Sequence, residues 1–136
     1  MILPQGGYSL RSWHGPKDLK ITPLPPHSCI QYSQNGLIHY GMVQQIYKYH
    51  HPNGKPQITI KIASIHNSFA KDPTSPSKVF QFICYLRKLV IGQKIPQLNI
   101  ISTNQISNLM AYQSLDSGTF GLQNNPIATV PFDHLG

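Results

Sequence analysis

The chain predicts a mainly β domain, a small antiparallel, strongly bent sheet or partly open barrel with one short helix. Three observations carry this. First, between Cys29 and Ile65 three runs rich in Ile, Val and Tyr (CIQYS, LIHYGMVQQIYKY and QITIKIASI) are separated by Asn35-Gly36 and Asn53-Gly54. Asn-Gly is a strong hairpin signal, because both residues accept the positive φ of a type I′ turn. Second, the last run alternates: Ile58, Ile60 and Ile62 point one way, Thr59, Lys61 and Ala63 the other, the period of a strand with one face in a core. Third, the rest of the chain breaks into short apolar runs punctuated by Gly, Pro and Asn.

Taken in order, residues 1–28 read as an irregular lead-in, with Gly6, Gly7, Gly15 and five prolines, of which Pro25-Pro26 is the last pair. Within it Leu19 and Ile21 suggest a short strand, and Trp13, the one tryptophan, an anchor on the domain. A single β-rich domain of residues 29–136 follows. Its meander occupies 29–65, with Gly41 placed for a bulge or bend in the long middle strand. Residues 66–78 read as a loop, expected to be the most mobile internal segment. VFQFICYLRKLVI (79–91) reads as a strand ended by Gly92, and QLNIIS (97–102) as another after Pro96. In 102–112, Ser102 or Thr103 is placed to cap a short helix burying Ile106, Leu109 and Met110. Strands at 119–123 and 127–132 complete the domain.

With 136 residues there is room for one core. The formal charge is +7, from 11 Lys and Arg against 4 Asp and no Glu. Missing acids, not a basic tract, make the chain cationic, and such a surface attracts polyanions. Two cysteines, Cys29 and Cys84, make no disulfide framework, and each sits in an apolar run where a reduced, buried thiol is expected. No run approaches the ~18 apolar residues of a membrane span. These features lead to the expectation of a soluble, intracellular chain with no membrane partner.

No catalytic signature stands on its own. The four Asp lie in turns, where Asp serves local hydrogen bonding. Seven histidines include no HxxxH pair, and there is no CxxC, so neither a metal nor another cofactor is expected. The one enzymatic or metal-binding alternative uses Cys29 with His39 facing it across the first hairpin, and His27 nearby. YGMVQQIYKYHH (40–51) interleaves aromatic and basic side chains. Lys48 projects opposite to Tyr47 and Tyr49, so one strand face presents both rings, either to the core or to stacked bases or a methylated lysine. Lys48 and Lys61, flanking the HHPNGKP turn, are expected to approach each other, with Lys55, Arg87 and Lys88 extending the patch. Those five cations and two tyrosines are the expected partner-binding or nucleic-acid-binding residues.

At Tyr40-Gly41-Met42-Val43, the apolar strand after the next turn, Ile106-Ser107-Asn108-Leu109 and the closing SGTFGLQ and IATVPFD segments, the chain resembles a family. It is similar to the small β-barrel domains related to bromo-adjacent homology (BAH) domains, found near the C-termini of transposase-like proteins of fungal and plant mobile elements. The resemblance covers residues 20–133 and supplies no catalytic residues. It implies a non-enzymatic interaction module with a protein or chromatin partner, hence the nucleus as a compartment. Weak sequence-independent DNA or RNA binding is the alternative. This chain departs from the family setting in lacking a DDE-type carboxylate set, so transposase chemistry is not expected of it.

Overall fold

The computed structural model describes residues 6–17, 19–50, 52, 54–67, 90–123 and 125–132. Their strands are β1 (Tyr8–Leu10), β2 (Trp13–His14), β3 (Lys20–Ile21), β4 (Cys29–Gln34), β5 (Leu37–His50), β6 (Pro56–Asn67), β7 (Val90–Ser102), β8 (Ile106–Ser114) and β9 (Pro126–Pro131). The large sheet runs β1-β5-β4-β8-β9-β7-β6, and β6 pairs back onto β5. Six antiparallel strands therefore close a ring, with β1 added beside the far end of β5. The ring is not a regular barrel, and the fold is mainly β with almost no helix.

The meander of β4, β5 and β6 forms as its sequence predicts. Asn35 and Gly36 have φ of 54° and 75°, the two positive values a type I′ turn needs, and Gln34 pairs with Leu37 across them. The second turn is longer, since the ladder ends at His50 opposite Pro56. Gly54 takes a φ of 85° there, while His51 and Asn53 lie outside the described residues.

What the sequence does not announce is that the meander is a wall between two cores. One cluster takes Ile30 and Tyr32 from β4, Val43 and Ile46 from β5, and Ile60 and Ile62 from β6. The other takes Cys29 from β4, Met42 from β5 and Ile65 from β6, with Met110 and Ile127. Neighbouring residues in a strand point to opposite faces, so each strand feeds both clusters. The bend in β5 falls at Gln44, the extra residue between the pairs Val43–Ile62 and Gln45–Lys61, and not at Gly41. Gly41 has a different role: a Cβ there would lie 3.1 Å from both the Ala63 carbonyl oxygen and Ile62 Cδ1.

The lead-in is more ordered than its composition suggests. Strand β1 pairs with β5 from Tyr8–Lys48 to Leu10–Ile46, and β2 with β3 at Trp13–Ile21 and His14–Lys20. Ile21 is sealed inside the first cluster, and Leu10, Trp13 and Leu19 pack against it. The expected anchor role of Trp13 and the short strand at Ile21 are both present.

Four expectations need correction. Gly92 does not end a strand, and Pro96 does not precede a new one, because β7 runs through both. A side chain on Gly92 would collide with the His66 carbonyl oxygen, so glycine lets β6 and β7 close up. Pro96 sits where Ile95, Pro96 and Gln97 bow out between the pairs Ala63–Leu98 and Ile65–Lys94, at a break in the ladder that spares its missing N–H. The short helix shrinks to a 3-10 turn, Thr103–Gln105, where the Ser102 N–H donates to Gln105 Oε1 at 2.9 Å. Strand β8 follows at once, sending Leu109 to one core and Met110 to the other. Residues 119–121 form a second 3-10 turn instead of a strand, since Gly118 and Gly121 take φ of 92° and 77°. The loop expected at 66–78 starts later, since β6 runs on through His66 and Asn67; its remainder and most of the 79–91 strand fall in 68–89, outside the described residues.

Two measurements test this packing. Ile60 has no exposed surface, so Ile60→Ala should lower unfolding free energy in a denaturant titration by about 2–5 kcal/mol. Thr129 is buried, and its hydroxyl has no hydrogen-bond partner among the described residues. The near-isosteric Thr129→Val should therefore stabilise the fold by about 1 kcal/mol, and a loss of that size would mean the hydroxyl has a partner.

Candidate functional site

Strand register decides which predicted residues meet. Tyr47 pairs with Thr59, Tyr49 with Gln57 and Gln45 with Lys61, so Tyr47, Tyr49 and Lys61 share one face of the β5–β6 ladder. The tyrosine rings stack, with centroids 6.3 Å apart and planes 29° apart. Both rings and Lys61 are half-buried, whereas the opposite face of the same ladder holds the sealed Ile46, Ile60 and Ile62. The face continues onto β7, because Lys61 pairs with Ile100 and Ala63 with Leu98, which is exposed. Tyr47 is also a clamp: its hydroxyl accepts a hydrogen bond from the Gly7 N–H at 3.0 Å. The two rings lean on each other and do not face each other across a gap, so their geometry suits stacking more than enclosing a methylated lysine.

Lys48 pairs with Ile58 and Tyr8 and projects to the other face. It does not approach Lys61, and the expected pair of neighbouring cations does not form. Lys55 is exposed in the turn beyond β5. Arg87 and Lys88 lie outside the described residues. Asp116 is the one acidic side chain among the described residues.

The Cys29–His39 reading fails on the same parity argument. Cys29 pairs with Met42, and His39 with Tyr32, which puts the thiol and the imidazole on opposite faces. Cys29 is fully buried, and burial pushes its thiol from 9.0 up to about 12. No group of three or more potential metal ligands occurs among the described residues. No helix among them is long and apolar enough to cross a membrane.

One feature escaped sequence reasoning. Where Ile95, Pro96 and Gln97 bow away from β6, a cleft of about 240 Å³ opens. Tyr32 and His39 line it as a stacked pair, ring centroids 5.4 Å and planes 25° apart. Gln34, Gln97, Asn99 and His66 supply most of its remaining polar lining. Asn99 Nδ2 donates to Gln34 Oε1 at 2.8 Å, and Asn99 Oδ1 accepts from the Ile100 N–H at 2.9 Å. The only sequence signal was Pro96 inside an apolar run.

Compared with known proteins, the chain matches no family model, no curated protein and no solved structure.

The thiol supplies a prediction. Cys29 should resist a thiol reagent at pH 8 in the folded chain and react fully once unfolded, read by peptide mass at that residue. Between pH 9 and 12 the folded chain keeps a proton that the unfolded chain has lost. Stability should therefore fall as pH rises through that window.

Proposed function

We propose that this chain is a non-enzymatic β module that holds single-stranded nucleic acid, weakly and without sequence preference, on the face carrying Tyr47, Tyr49 and Lys61. The observation that carries this reading is the sharing of one half-exposed sheet face by a stacked tyrosine pair and a lysine. Aromatic rings stack on any base, and a cation beside them meets the phosphate backbone. The charge of +7 supplies the long-range attraction, and the shortage of carboxylates leaves little to repel a polyanion.

A second reading is a protein or chromatin partner, as the BAH-like resemblance implies. In its favour, β1 has a neighbour on one side only among the described residues, a short edge to which a partner strand can be added.

The test is fluorescence anisotropy with labelled oligo(dT) at about 50 and 200 mM salt, where neutralised phosphates weaken binding as counterions compete. Lys61→Ala should flatten the logarithmic salt slope by about 0.7, the share of one phosphate contact on a single strand. Tyr49→Ala should weaken binding by about 5- to 100-fold, the range of one lost stacking platform. Lys48→Ala, on the other face, should change little. Binding indifferent to salt, or lost equally with Lys48→Ala, would remove this face as the site. Absence of binding at low salt would favour the protein-partner reading.

A further inference from the structure

The cleft beside the β7 bow lies at the other end of β5 from the tyrosine face, and its lining describes its ligand. Among the described residues no Lys or Arg lines it, which does not favour a phosphate. No carboxylate is among the described lining residues either, so the strongest acceptors for sugar hydroxyls are not among them. Instead it offers carboxamides, two imidazoles and an aromatic stack. Its volume falls short of the roughly 300 Å³ at which pockets for drug-sized molecules begin, which suits one small ring system.

We propose that this cleft binds a single nucleobase. Tyr32 is nearly sealed at 2% exposure while His39 is half-exposed, so His39 is the ring of the pair that meets the ligand. Tyr32 backs it from behind and holds its plane. Carboxamides carry a donor and an acceptor side by side, the pattern that pairs with a base edge. Gln34 spends its oxygen on Asn99, which fixes the orientation of that amide pair and leaves the Gln34 NH2 as a donor. Gln97, carried on the bowed segment, is exposed and adds an adaptable second amide. Base stacking on an aromatic side chain with amides reading the edge is the usual way proteins hold an unpaired base.

The probes are the four ribonucleosides, which lack phosphate, and methyl glucoside as the sugar control, each added to the isotope-labelled chain at millimolar concentration. Backbone amide shifts are followed by NMR. The expected result is saturable shifts at His39, Ser64, Gln97 and Asn99 with at least one nucleoside and none with the glucoside. His39→Ala should weaken that binding by about 5- to 100-fold, as expected for one lost stacking partner. Gln97→Ala, an exposed position that the core does not depend on, should change the order of preference among the four bases. Shifts confined to Tyr47, Tyr49 and Lys61 would overturn the cleft proposal while supporting the tyrosine face as the nucleic-acid site. Absence of shifts in the cleft, a stronger response to the glucoside, or unchanged binding by both variants would equally overturn it.

Discussion

The β5–β6 ladder closes the ring, and it does so while buried apolar side chains stand on both of its faces. A strand has only two sides, so a ladder that walls off two cores has few positions left for anything soluble. Val43, Ile46, Ile60 and Ile62 serve one cluster, Met42 and Ile65 the other. The polar positions are pushed outward along the ladder, towards the turn, and that is where Tyr47, Tyr49 and Lys61 stand. The extra residue at Gln44 makes the arrangement workable, because a bulge sharpens the twist and lets a long strand bend. The tyrosine face is thus a consequence of how the cores are divided.

Much of this was legible where one face of a strand is wet. Alternation in 58–63 and the Asn35-Gly36 turn identified the meander, and parity alone placed Tyr47 with Tyr49 and against Lys48. Legibility failed where both faces are dry. In 106–110 the spacing of Ile106, Leu109 and Met110 fits a helix, yet it equally fits a bulged strand whose Ile106 and Leu109 pack against one core while Met110 enters the other. Gly92 and Pro96 look like stops until the partner strand is known: the first is a point of close approach, the second sits at a break in the ladder. Flanking the same turn suggests contact of Lys48 with Lys61, whereas contact across a ladder depends on register, and register gives each lysine a different partner and a different face. Of the cleft only Pro96 was a trace in the sequence, since Tyr32, His39 and Asn99 come together only through the ring.

A chain with so few acids builds its polar contacts from carboxamides. Asn108 Nδ2 reaches Gln31 Oε1 at 2.6 Å across β8 and β4, Asn99 reaches Gln34, and Gln105 Nε2 donates to the Ser33 carbonyl at 3.0 Å. These are neutral bonds between strands distant in sequence. They tie β4 to β8, to β7 and to the turn between those two without using charge. Salt leaves such contacts largely unscreened. None of these three bonds draws on a cation, so they leave the positive field of the chain undiminished.

The closed ring also bears on how the chain behaves among copies of itself. A molecule built so largely of strand carries an intrinsic hazard, because an unpaired strand edge is a template for the next molecule. Among the described residues, β4 to β9 each have a neighbouring strand on either side, staggered along their length, and the strand order of the large sheet ends only at β1, three residues long. So short an edge gives an incoming chain few backbone groups to pair with, and the like charge of every copy adds repulsion at a distance. Ring closure therefore acts as protection against fibrous self-association in a chain whose composition of Ile, Val, Tyr, Gln and Asn would otherwise invite it.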